Sequence, residues 1–249
     1  MRISPAALLA DAWAAFRRDG TLLVPVAGVF WFLPLFALAL LVPQPPALPD
    51  AEPGSQAATT YADQAINWVL LQGGWIVLAQ AVMTWGSAVF YLLYLDPARP
   101  DVRGAVERGV RLWPRFLLLG LVVGPLEPLG LRLFVLPAVW LLARFMLAAP
   151  ALAAEAPLGV WRALGRSWRL SRGVGLPLMA LVALTLAPGV IAPQLLLQLD
   201  GILRGQPGGE NVAAVVIVDA LIALTATAAA LGAALIAVSA YRALARKGI

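Results

Sequence analysis

Six stretches of the chain are apolar for about the 20 residues that a bilayer core demands. They are Thr21–Val42, Ala65–Leu95, Phe116–Leu131, Leu133–Ala154, Val174–Leu199 and Val212–Tyr241. Their apolar residues run on without the alternation of barrel strands. The pattern therefore predicts helices, whose backbone polar groups find partners within the segment. Two stretches are irregular. Phe116–Leu131 is short and holds Pro125 and Pro128, which fits a full tilted span or one half of a re-entrant hairpin. Pro188-Gly189 and Pro193 interrupt the fifth and predict a kink or an unwound outer end.

Between the stretches the pattern changes period. Leu9, Trp13 and Phe16, then Val106, Val110 and Trp113, then Trp161, Leu164 and Trp168 each form one stripe of a helix. Arg108, Arg111 and Arg115, and likewise Arg162, Arg166 and Arg169, occupy the other face. Each basic segment precedes a pair of spans, which gives weak pseudo-repeats over 1–95, 96–156 and 157–249 within a single membrane domain. The first and third align residue by residue: Leu9 with Leu164, Trp13 with Trp168, Arg17 with Arg172, Gly20 with Gly175. The fold expected is an all-α polytopic membrane protein with six transmembrane helices and three cytoplasmic interfacial amphipathic helices. Such helices place tryptophan at headgroup depth and arginine toward anionic phosphates. They serve either as anchors that set topology or as recognition elements for lipid headgroups or a partner, with Arg108, Arg111, Arg162, Arg166, Arg169 and Trp168 as the headgroup candidates. The segment Pro43–Gln64, rich in proline, alanine and small polar residues, predicts an irregular extracytoplasmic loop.

Composition agrees with lipid as solvent. Of 249 residues 61% are hydrophobic and 12% charged, about half the charge of a soluble domain. The charge is one-sided. Arg2, Arg17 and Arg18, the arginines from Arg99 to Arg115, those from Arg162 to Arg172, and Arg242, Arg246 and Lys247 fall on one set of connections. The other set holds Arg132 and Arg204 beside Asp50, Glu52, Asp63, Asp200 and Glu210. The positive-inside rule makes the basic side, with both termini, cytoplasmic. Asp11 interrupts the apolar run of Met1–Gly20, so this segment is read as retained and not as a signal peptide. Lys247 is the only lysine, an arginine bias that fits a GC-rich bacterial genome.

Arg144 to Gly173 reads RFMLAAPALAAEAPLGVWRALGRSWRLSRG. This resembles bacterial membrane proteins typified by the membrane domain of glycerophosphodiester phosphodiesterases and the related YciC-like inner-membrane family. The positions that carry the resemblance are Arg144, Pro150, Ala151, Glu155, Ala163, Leu164, Arg166, Ser167, Trp168, Leu170, Ser171 and Gly173. Ser4–Leu35 also looks like the family's opening segment. The resemblance implies a six-span fold. In the phosphodiesterases a separate soluble domain performs the catalysis, and no such domain is read here, so hydrolase activity is not carried over.

Cysteine and histidine are absent, which removes disulfides, thiol nucleophiles and most zinc sites. Neither a G-x-x-x-x-G-K-[ST] loop nor a G-x-S-x-G elbow occurs. No catalytic residue, cofactor or metal is expected, and no nucleic-acid partner. Charges within the spans are the remaining candidates. Arg144 falls near the middle of the fourth span, where a charge costs about 2.5–3.5 kcal/mol unless it pairs or faces a wet cavity. Asp219 is its best expected partner, with Glu127 and Glu155 as alternatives. Such a pair either locks helices together or binds an anionic headgroup or solute. Two functional readings follow: a non-enzymatic inner-membrane protein that binds lipids or organises a membrane assembly, and a small transporter or lipid-translocating protein with a polar site around Arg144 and Asp219.

Overall fold

The computed structural model describes residues 4–49, 52, 54–126, 130, 134–204 and 211–246. Every element among them is helical: α1 (Pro5–Ala27), a π-helical turn (Gly28–Phe32), α2 (Leu33–Leu41), α3 (Gln56–Leu95), α4 (Val102–Val123), α5 (Val135–Phe145), α6 (Ala148–Ala154), α7 (Val160–Leu170), α8 (Gly175–Arg204) and α9 (Val212–Ala245). Five segments are long and apolar enough to cross a membrane: Pro5–Leu41, Gln56–Leu95, Val135–Ala154, Gly175–Arg204 and Val212–Ala245. Leucines such as Leu70 and Leu195 stand 78% and 67% exposed on their outer faces, a surface that hydrocarbon solvates and water does not.

The third expected span, Phe116–Leu131, is not among the five. The apolar part of α4 ends at Val123, about 10 Å along the axis from Phe116, and residues 127–129 and 131–133 lie outside those described. The three basic segments also differ from expectation. α1 and α4 run unbroken from basic segment into apolar segment, whereas α7 is a separate helix. Gly173, two residues before the glycine that aligns with Gly20, explains this: it adopts φ +78°, a left-handed conformation that ends a helix and that glycine adopts without strain, whereas the matching stretch of α1 runs on through Gly20. The loop expected over Pro43–Gln64 is helical from Gln56 on, because Ser55 Oγ accepts from Ala58 N at 3.2 Å and caps the helix.

The fifth stretch is not unwound: α8 continues through Pro188 and Pro193. The break falls instead in the fourth, at Met146-Leu147 between α5 and α6. Pro150 accounts for it. Its nitrogen cannot bond to the Met146 carbonyl and its ring clashes with that oxygen, so the helix restarts with Pro150 in its first turn.

α9 is the central helix. It packs most extensively on α8 and also meets α1, α2, α3 and α6. Beneath it α6 is almost wholly buried: Ala148, Ala151 and Leu152 are 0% exposed. Hydrogen bonds define the two ends of the bundle. At the basic end Tyr94 OH donates to Asp19 Oδ2 at 2.8 Å, Arg242 donates to the Tyr94 carbonyl, and Tyr241 OH donates to Glu155 Oε1 at 2.7 Å. At the opposite end Trp68 Nε1 donates to the Pro43 carbonyl at 2.9 Å, and Gln44 Nε2 to Asp200 Oδ2 at 3.2 Å.

Candidate functional site

Where α5 ends, Arg144 meets the C-terminus of α7. Its Nη1 donates to the Ser171 carbonyl at 2.8 Å and to Ser171 Oγ at 3.2 Å. In return Ser167 Oγ donates to the Arg144 carbonyl at 2.6 Å. That carbonyl is one of those left open by the break before α6, so each helix end caps the other. The guanidinium carbon stands 5.2 Å from the ring centre of Trp140 and 5.3 Å from that of Trp168. The two indoles meet edge to face at 5.2 Å. A cation at two helix C-termini, beside two indole rings, is held by dipoles and π-faces, with no carboxylate partner among the described residues.

The expected pairing of Arg144 with Asp219 is therefore corrected. Asp219 is at the other end of the bundle, where its Oδ2 accepts from Arg204 Nη2 at 2.9 Å, and Arg204 Nε also bonds Asp200 at 2.8 Å. Both carboxylates are buried, at 2% and 1% exposure. Arg204 wins because it lies one turn after Asp200, in the last turn of α8 beside the first turns of α9. Glu155 does not reach Arg144 either: its Oε1 accepts from Arg166 Nε at 2.9 Å and from Tyr241 OH, so it ties α7 to α9. Glu127 lies outside the described residues.

The headgroup candidates separate into two places. Arg162, Arg166, Arg169 and Trp168 line one open groove of about 500 Å³ along α7, and Arg172, not counted among them from sequence, completes it. Arg162, Arg166 and Arg169 recur at i, i+4 and i+7, one face of the helix. The opposite face, with Ala163, Leu164 and Ser167, is buried. Arg166 is matched by Glu155, while Arg162, Arg169 and Arg172 are exposed and have no carboxylate partner among the described residues. Arg108 and Arg111 are on α4, away from this groove. Arg108 pairs with Asp96 at 2.7 Å, and Arg111 is exposed. Arg115 Nη1 donates to the Leu158 carbonyl at 3.4 Å and joins α4 to the segment before α7.

Trp168 belongs to both arrangements: it stacks on Arg144 from within and lines the groove. The lock thus fixes the angle at which α7 presents its arginines. The signal for the lock lay in Trp140 and Arg144, one turn apart, and in Ser167-Trp168 with Ser171 four residues after Ser167, but nothing local joins the two groups. Comparisons with protein-family models, curated proteins and solved structures return no match, and the functional reading rests on this geometry.

Proposed function

We propose that this chain is a polytopic protein of the bacterial inner membrane that binds anionic lipid headgroups in the α7 groove, without catalysis, with its arginine-rich end and both termini in the cytoplasm. One observation carries the reading. Three exposed guanidinium groups, Arg162, Arg169 and Arg172, share a groove with a single carboxylate that Arg166 already engages. Phosphate diesters accept paired N–H donors from guanidinium, which favours arginine over lysine at such a site. Near a membrane surface each cation adds about 1 kcal/mol toward anionic lipid. Three together amount to a preference of about a hundredfold over zwitterionic lipid. The resemblance of Arg144–Gly173 to membrane domains of lipid-related bacterial proteins supports the same class.

The test is the lipid that accompanies the purified full-length protein. Wild type is expected to retain phosphatidylglycerol or cardiolipin, enriched over the bulk membrane. The triple variant Arg162→Ala/Arg169→Ala/Arg172→Ala is expected to carry bulk composition. Equal enrichment in both would remove the groove as the binding site. Transport through a polar site at Arg144 and Asp219 gains no support, since the two are at opposite ends and neither lines the central cavity.

A further inference from the structure

A cavity of about 540 Å³ lies inside the bundle, with α3 and α4 on one side and α5, α8 and α9 on the other. One face of α3 gives it a polar line: Gln80, Thr84, Ser87 and Tyr91, at i, i+4, i+7 and i+11. At 1.5 Å per residue this line is about 16 Å long. Thr185 of α8 faces the same space. No aspartate, glutamate, arginine or lysine is among the described residues that line it. The other walls are leucine, valine, isoleucine, phenylalanine, methionine and alanine, with Trp31, Gly120 and Gly124.

The hydrogen-bond directions narrow the ligand. Thr84 Oγ1 donates to the Gln80 carbonyl at 2.7 Å, Ser87 Oγ to the Met83 carbonyl at 2.9 Å, and Thr185 Oγ1 to the Leu181 carbonyl at 3.2 Å. These three hydroxyls have committed their protons to their own helices and face the cavity as acceptors. A ligand that satisfies them must bring donors of its own. The Gln80 amide and the Tyr91 hydroxyl have no hydrogen-bond partner among the described residues, so the two ends of the line are free to donate or accept. An anionic head would enter without a cation to meet it. A fully polar solute would leave the apolar walls wet.

The shape agrees. α6 packs against α3, α4 and α9 and closes the space at the basic end, with Ala149 in its wall. Among the described residues α4 makes no extended contact with α8 or α9, so helix packing does not close the space between them.

We infer that this cavity binds an uncharged lipid bearing free hydroxyl groups, an acylglycerol by chemical class, with its head along the α3 line and its acyl carbons against the apolar walls. This site is separate from the α7 groove in place and in chemistry.

The experiment uses the full chain in phosphatidylcholine nanodiscs with a monoacylglycerol whose acyl chain carries a diazirine close to the ester. After photolysis, adducts are expected on peptides spanning 80–91 or 181–186. Excess unlabelled monoacylglycerol should lower them at least fivefold, and the same amount of phosphatidylglycerol should not. Thr84→Val/Ser87→Ala removes acceptors and should lower labelling to a similar degree. Gly120→Leu approaches the question without touching the polar line. A Cβ at this cavity-lining glycine meets nothing within 4 Å, so the larger side chain fills the void, and labelling should fall at least fivefold at unchanged thermal stability. The α7 triple-alanine variant should label like wild type, which keeps the two sites distinguishable. Adducts spread over outward-facing leucines such as Leu70 and Leu71, equal competition by phosphatidylglycerol, or full labelling of a folded Gly120→Leu protein would overturn the inference.

Discussion

Arg144 carries its charge to two helix C-termini at once, its own and that of α7, and each stacked indole adds a further contact. A charged hydrogen bond contributes about 1.5–3 kcal/mol and each cation–π contact about 0.5–1 kcal/mol. Arg144→Ala should therefore lower unfolding stability in detergent by about 2.5–5 kcal/mol, and lysine, which lacks the planar fork, should restore only part of it. Ser167→Ala should cost about 1 kcal/mol through the uncapped Arg144 carbonyl. A thermal unfolding midpoint unchanged in Arg144→Ala would contradict the lock. At the other end Arg204 serves two buried carboxylates, whose side chains are 3% and 1% exposed. Arg204→Ala leaves both without their cation and should cost about 3 kcal/mol. Adding Asp219→Asn should recover part of that loss; no recovery would mean that Arg204 acts through packing alone. The sequence made Arg144 and Asp219 visible as costly residues, because charge within an apolar run is conspicuous. Their partners were less visible. Arg204 precedes a Gly/Pro-rich stretch and read as a loop residue, although Asp200 one turn earlier was a local clue. Trp140 and Trp168 are brought together only by the fold.

Helices were legible by their apolar length, and their interruptions were not. Prolines at 188 and 193 leave α8 continuous, whereas Pro150 accompanies the break that frees the Arg144 carbonyl. A proline acts on the carbonyl four residues earlier, and whether a helix yields there depends on what else can occupy that carbonyl. A similar deficit lies one turn before Pro34, where the π-helical turn Gly28–Phe32 packs Trp31 on α3, its Nε1 donating to the Met83 carbonyl at 3.1 Å. This turn meets α3 at Gly86, where an added Cβ would stand 2.2 Å from Phe30 Cβ. Gly86→Ala should cost about 1–3 kcal/mol through overpacking. Gly120→Ala, open at the same position of its side chain, should be neutral or gain up to about 1 kcal/mol of helix propensity. Equal effects at the two glycines would contradict the close approach of the π-helical turn and α3.

For the whole molecule the arginine distribution is the strongest guide. The orientation it implies has a direct test, since the chain has no cysteine. In right-side-out cells a membrane-impermeant maleimide should label Thr60→Cys, and should label Arg103→Cys only after permeabilisation; the reverse pattern would invert the topology. The basic character of the end where α3 and α9 finish was plain from sequence, but its organisation was not. Arg108 and Arg166 are neutralised by carboxylates, Arg111 stands exposed on α4, and Arg162, Arg169 and Arg172 share the α7 groove. In the proposed function this groove, and not Arg144, takes the anionic headgroup. Native mass spectrometry of wild type, Arg144→Lys and the α7 triple-alanine variant, each titrated with phosphatidylglycerol against phosphatidylcholine, separates the two sites. A stoichiometric phosphatidylglycerol adduct is expected on wild type and on folded Arg144→Lys, weakened about a hundredfold in the triple variant. An adduct that persists in the triple variant and disappears in Arg144→Lys would contradict it and return the headgroup site to Arg144.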